Sequence, residues 1–251
     1  MDCCKRDLGD NVMKTKKEIL DEIRGTLIVS CQAREGWAMH GSSIMAAFAA
    51  AAMEGGAGGI RANGAADIQE IKKKVSLPLI GIQKIWQDSC EVYITPTYES
   101  AVPIIEAGAE IIALDATARS RPNHETFASI VKRIRDNYPH VLIMGEISAI
   151  EEAKVIKDLD IDLISTTLSG YTAASKKTEG VDLNLIGDIV AITHIPVIAE
   201  GKIRTEKEVV EAFQAGAHAV VVGTSITRPE IITSRYTAEI KRYFESEYIM
   251  N

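Results

Sequence analysis

The chain has 251 residues, 46% apolar and 25% charged, with a formal net charge of −7. That length suits one large soluble α/β domain or two small ones, and aromatics at 5% leave the core to Ile, Val, Leu and Ala. The acidic balance argues against a nucleic-acid partner, because a phosphate backbone needs a basic surface.

In chain order, residues 1–24 are charged and hold no apolar signal core. Lys14 to Arg24 read as a helix, and Lys14–Lys17 and Lys72–Lys74 as solvated helix faces. Apolar, β-branched runs then recur at Leu27–Ser30, Gly58–Arg61, Leu79–Gln83, Ile111–Leu114, Val141–Met144, Leu163–Ser165, Pro196–Ala199 and Ala219–Val222. Each is nearly continuous, as parallel strands covered on both faces require. The segments between them carry helical stripes: Ile68, Ile71 and Val75; Ile130, Ile134 and Tyr138; Val209, Val210 and Phe213. Gly55-Gly56, Gly108 and Gly216 close helices shortly before the next strand. No linker composition interrupts the chain. Eight strand–helix units predict a (β/α)8 TIM barrel over residues 25–251, with the N-terminal helical extension, residues 1–24, covering the barrel bottom. A doubly wound sheet is the alternative, but the GxGxxG fingerprint after the first strand is absent.

The longest apolar run, Ile44 to Met53, is shorter than the roughly 20 residues a bilayer span needs. No membrane partner is expected. Cys3, Cys4, Cys31 and Cys90 form no CxxC pair, which predicts a reducing, cytoplasmic location. The histidines form no HxH or HExxH pattern, so no metal is expected. Cys31, after the first strand, reads as a bystander thiol rather than a nucleophile.

Barrel chemistry sits at the C-terminal strand ends. Those positions hold Cys31 and Gln32, Arg61 and Asn63, Lys84, Asp115, Glu146, Thr166 and Thr167, Glu200, and Gly223 and Thr224. A Lys and a Glu facing one cavity can move a proton on and off a substrate carbon. Gly201 and Gly223-Thr224-Ser225 follow the last two strands, and a short helix is expected at Ile226-Thr227-Arg228-Pro229. Glycines let backbone N–H groups approach an anion, and barrels often hold a phosphate there. Arg228 adds a bidentate contact.

Several of these segments together carry a family likeness. Gly25-Thr-Leu-Ile-Val-Ser-Cys-Gln32, Gly59-Ile-Arg-Ala-Asn63, Ile80-Gly-Ile-Gln-Lys84, Ala113-Leu-Asp-Ala-Thr117, Thr166-Thr-Leu-Ser-Gly-Tyr-Thr172, Val197-Ile-Ala-Glu-Gly201 and Val222-Gly-Thr-Ser-Ile-Thr-Arg228 resemble the bacterial N-acetylmannosamine-6-phosphate 2-epimerases. The resemblance implies a barrel enzyme of sialic acid and amino-sugar catabolism that interconverts N-acetylmannosamine 6-phosphate and N-acetylglucosamine 6-phosphate. It implies no redox cofactor and a homodimer. Lys84 is then the acid/base lysine and Glu200 the catalytic carboxylate. Gln32, Arg61 and Asp115 hold the sugar and its acetamido group, with Asn63, Glu146, Thr166 and Tyr171 also expected around the substrate. Gly201, Gly223, Thr224 and Arg228 hold the phosphate. The chain departs from the family at Gln83, where an aliphatic residue is usual, at Ile85-Trp86, where Arg-Asp is usual, and at Gly145-Glu146, where Ala-Asp is usual.

Inverting carbon 2 requires the open-chain aldehyde, so that the anion spreads as an enolate. Lys84 must lose its proton to act as base. Burial or Arg61 would help, and Glu200 would oppose it. The same residues also permit a Schiff-base lyase, a flavin-binding barrel or a non-catalytic sugar-phosphate sensor.

Overall fold

The structure, a computed structural model, describes residues 14–249; the expectations placed on residues 1–13, Cys3 and Cys4 among them, lie outside the described residues. Eight parallel strands close in sequence order into a barrel, β1 pairing with β8. They are β1 Leu27–Cys31, β2 Gly59–Asn63, β3 Leu79–Ile82, β4 Ile111–Asp115, β5 Leu142–Glu146, β6 Leu163–Ser165, β7 Val197–Glu200 and β8 Ala219–Val222. Helix α1 (Lys16–Ile23) precedes the barrel. The crossover helices are α2 Ser42–Glu54, α3 Ala65–Lys72, α4 Tyr98–Glu106, α5 Phe127–Asn137, α6 Ile150–Ile156, α7 Leu183–Ile192 and α8 Glu206–Gln214. Two helices follow β8, α9 Thr224–Thr227 and the long α10 Pro229–Ile249. Among the described residues, no helix is long and apolar enough to cross a membrane.

Strand parity sorts the core into two layers. Ile28, Ile80, Ile82, Ile111, Ala113, Leu142, Met144, Leu163, Ile198 and Val221 fill the barrel interior. Their neighbours, such as Val29, Ile60, Ile112, Ile143, Ile164 and Val220, pack under the helices. Helix α1 joins the inner layer. A Thr15–Glu18 capping box starts it, and its Ile19 and Ile23 are buried with the first inward residues of the strands. It closes the barrel bottom, as the sequence predicts for Lys14 to Arg24.

Three local expectations need correction. Cys31, Asn63, Asp115, Glu146 and Glu200 lie within strands rather than beyond them. A strand keeps pairing into a polar mouth as long as its neighbour offers backbone partners. Asp115, for example, aligns with Glu146 across β4 and β5. In α8, Val210 is exposed while Ala212 and the partly buried Val209 and Phe213 face the core. The short helix after β8 begins at Thr224, and Arg228 caps it instead of belonging to it. Gly108 and Gly216, by contrast, close α4 and α8 at φ 100° and 102°, where a side chain is strained.

Two glycines give opposite expectations for stability. Gly81 points outward from β3, and a Cβ there would stand 2.3 Å from Ile104 Cγ2 and 2.8 Å from Ala109 Cβ. Gly187 lies inside α7 with open space around its Cβ position. Gly81→Ala should destabilise by about 1–3 kcal/mol through overpacking. Gly187→Ala should stabilise by about 0.5–1 kcal/mol through helix propensity. Urea unfolding midpoints of the two variants check both signs.

Candidate active site

The C-terminal strand ends open on a cavity of about 720 Å³. Gln32, Arg61, Asn63, Lys84, Tyr171, Glu200, Gly201, Gly223, Thr224 and Arg228 line it. Asp115, Glu146 and Thr166, which the sequence places around the substrate, stand behind that wall.

Arg61 is the floor. It points inward from β2 and is 2% exposed. One terminal nitrogen pairs with Glu146 Oε1, and the other with Glu200 Oε1 at 3.0 Å. Burying three charges is costly unless they neutralise one another. Two carboxylates against one guanidinium leave an excess negative charge, and fully buried Glu146 bears the effect. Burial raises its pKa to about 6; Arg61 opposes the rise and Glu200 adds to it. Glu146 Oε2 and Arg61 Nε have no hydrogen-bond partner among the described residues.

Lys84 follows β3 on a hairpin that bridges to Ile94. Its backbone N–H donates to Asn63 Oδ1 at 2.8 Å, so Asn63 fixes where the lysine leaves the strand. Burial, with help from Arg61, lowers the Lys84 pKa to about 8 against the pull of Glu200 and Glu146. The competition left open by the sequence is thus won by desolvation.

Glu200 ends β7 and is tied down twice. Its backbone N–H donates to Thr166 Oγ1 at 3.1 Å, and the same hydroxyl donates to Glu200 O at 2.9 Å. Thr167, one residue on and of opposite parity, faces the cavity and donates to Glu200 Oε2 at 3.1 Å. Thr166 is therefore a brace between β6 and β7, and Thr167 is the wall residue. Asp115 is likewise internal. It accepts from Arg119 at 2.6 Å and from the Thr117 hydroxyl at 2.7 Å, holding the loop after β4. Gln32 donates to Ser30 Oγ at 2.7 Å, while its buried Oε1 has no partner among the described residues. Cys31 points away from the cavity into the helix layer, and burial pushes its thiol to about 12, which makes it inert.

Several wall residues have no sequence signal of periodicity or strand position: Arg34 and Trp37 from the loop after β1, Tyr93 from the Lys84 hairpin, and Lys202 and Arg204 after β7. Trp37 could have been suspected as a tryptophan in the short polar stretch Arg34-Glu-Gly-Trp37 of an aromatic-poor chain. With these residues the wall carries seven Arg or Lys side chains against two Glu. In a chain of net charge −7, such a mouth focuses anions. Gly201 sits at φ 108°, a conformation that a side chain resists, and brings backbone to the cavity edge.

A family model described as "Putative N-acetylmannosamine-6-phosphate epimerase" matches residues 45–242. This chain belongs to that family. A relative from Caldanaerobacter subterraneus subsp. tengcongensis is 49% identical over 224 residues, covering 89% of this chain and 94% of its own. One from Clostridioides difficile is 47% identical over 223 residues, covering 89% and 99%. Both carry the name "Putative N-acetylmannosamine-6-phosphate 2-epimerase". The solved N-acetylmannosamine-6-phosphate 2-epimerase of Clostridium perfringens superposes with a TM-score of 0.86 at 44% identity, covering 91% of this chain and 99% of that one. Thiamine phosphate pyrophosphorylase of Pyrococcus furiosus, at 16% identity and a TM-score of 0.54, shares the fold.

Gly145-Glu146, where the resemblance leads to the expectation of Ala-Asp, has a local rationale. Gly145 points outward, where a Cβ would stand 2.9 Å from Ile156 Cδ1 and 3.2 Å from Phe127 Cζ. Glu146 points inward and reaches Arg61.

Arg61→Leu should destabilise the protein by about 3–5 kcal/mol at pH 8, because both carboxylates lose their cation. Without Arg61 the folded-state pKa of Glu146 rises further above its unfolded value. The native state then binds the proton more tightly, so stability falls as pH rises; relative to wild type, the penalty shrinks as pH drops from 8 towards about 6 and levels off below it. Urea unfolding of wild type and variant at pH 8 and pH 5 measures the difference.

Proposed function

We propose that this chain interconverts N-acetylmannosamine 6-phosphate and N-acetylglucosamine 6-phosphate by moving a proton at carbon 2, with Lys84 and Glu200 as the two carriers. The observation that carries the reading is that both side chains line one cavity and share one neighbouring cation, Arg61. Family membership supplies the substrate class, and the cationic mouth suits a sugar phosphate.

In the open-chain sugar the aldehyde acidifies carbon 2. One carrier removes the proton, the enolate forms, and the other carrier returns a proton from the opposite face. Arg61 is a buried, fixed donor beside this chemistry, of the kind that stabilises developing oxyanion charge without reorganising. Glu146 orients it. Gln32 offers the unpartnered Oε1 to the acetamido N–H. Tyr171 covers the cavity edge beneath the Lys202 ammonium, 5.3 Å from its ring centroid. Gly201, Gly223, Thr224 and Arg228 receive the phosphate, whose binding energy holds the reacting carbon in place. Asp115 and Thr166 brace the walls.

Each direction requires one proton shared between Lys84 and Glu200. The two productive forms differ in where that proton sits, not in how many there are. The ratio of forward to reverse kcat/KM is fixed by the equilibrium between the sugars, so both directions share one pH profile. Loss of the last proton from Lys84 gives an alkaline limb near pH 8. Above it, kcat/KM should fall by about tenfold per pH unit in either direction. A profile that keeps rising through that range rules out the shared-proton pair. Lys84→Ala should lower kcat by at least about 10² while the protein stays folded. NMR of the wild-type reaction in D2O should show deuterium at carbon 2 in product from the first turnover. Early product that keeps its original hydrogen overturns the two-carrier scheme.

A homodimer is part of the proposal. Tyr236, Ile240, Tyr243 and Phe244 recur at i, i+4, i+7 and i+8 along α10, each more than half exposed. Such an apolar face suits burial against a second copy. Ile240→Glu should shift the sedimentation coefficient from dimer to monomer. The free thiols of Cys31 and Cys90 support a cytoplasmic location.

A further inference from the structure

Both tryptophans of the chain stand on the cavity rim, and neither takes part in the proton transfer. The Arg228 guanidinium lies over the Trp37 ring, 3.8 Å from its centroid. Arg34 lies over Trp37 at 5.4 Å and over Trp86 at 4.8 Å. Trp86 stacks on Tyr93, with centroids 5.8 Å apart and planes 12° from parallel. Cation and aromatic thus alternate from the loop after β8, through the loop after β1, to the hairpin that carries Lys84. Trp86 stands in the Ile85-Trp86 departure from the family pattern.

Arg228 is held in two respects. Its face rests on Trp37, and its Nε donates to Glu230 Oε1 at 2.7 Å. No hydrogen bond among the described residues engages its terminal nitrogens, and the residue lines the cavity. A guanidinium whose plane and rotation are both set presents those nitrogens as a ready edge for two phosphate oxygens. The rotamer entropy of a long side chain is then lost on folding rather than on binding.

We propose that Trp37 is a positioning residue for phosphate recognition: it holds the Arg228 guanidinium face-on, so that, with Glu230 on Nε, the two terminal nitrogens are presented to the phosphate. The proposal rests on the reading of Arg228 as a phosphate ligand. Trp37 itself touches neither the phosphate nor the reacting carbon, and it acts through Arg228. Phenylalanine keeps an aromatic face at this position, and leucine keeps only apolar bulk.

The test measures inorganic phosphate binding by titration calorimetry on the full chain, with turnover of the sugar phosphate as a second readout. Arg228→Ala should weaken phosphate binding; if it binds as wild type does, the phosphate reading fails and the Trp37 proposal falls with it. Given that weakening, Trp37→Leu should raise the phosphate dissociation constant roughly three- to tenfold, the range a cation–π contact supplies. It should raise KM for the sugar phosphate by a similar factor and leave kcat unchanged, and Trp37→Phe should restore most of the affinity. Adding Trp37→Leu to Arg228→Ala should cause no further loss. Wild-type affinity in Trp37→Leu, or the same fold loss with and without Arg228, overturns the proposal while leaving the phosphate reading intact. A kcat that drops with the affinity, or a failure of Trp37→Phe to rescue, assigns Trp37 to loop stability instead.

Discussion

The geometry of this barrel mouth depends on one buried guanidinium serving two carboxylates. Arg61 pairs with Glu146 from β5 and Glu200 from β7, so it ties together three strands that are not adjacent in the sheet. The cross-links at that level are ionic. One cation cannot satisfy two anions fully, and Glu146 takes up protons more readily as a result. Lys84 gives its proton up more readily because burial and Arg61 outweigh the same two carboxylates. A reactive lysine and a rigid floor thus have one origin: charge crowded into a space that water cannot enter freely.

Much of this arrangement is written in the sequence. The eight apolar runs match the eight strands because parallel strands covered on both faces read as continuous hydrophobic blocks. The same continuity hides parity. In Leu163-Ile164-Ser165, both faces are buried, so hydrophobicity alone does not say which residue looks inward. That is why Thr166 looks like a wall residue in the sequence while Thr167 is one in the structure. Counting alternate residues from Leu163 through Ser165 leads to Thr167, but only once Leu163 is known to face the barrel interior.

Asp115 and Glu146 hold the right end of the right strands. What sequence position does not give is depth. Asp115 is consumed by Thr117 and Arg119 from its own loop, and Glu146 by Arg61 from across the barrel. Arg34 and Tyr93 were illegible, and Trp37 marked only by its rarity, for a different reason. They lie on irregular loops after β1 and β3, where no period of two or 3.6 applies, and their alignment arises only from tertiary contact.

The helix beneath the strands has a consequence for traffic. Ile19 and Ile23 of α1 fill the end of the tube opposite the cavity, so among the described residues the barrel is a blind vessel that opens at the C-terminal strand ends. The two epimers must enter and leave by the same rim, past the same arginines, and each sugar occludes the other's route. Turnover in a mixture is therefore a contest for one entrance.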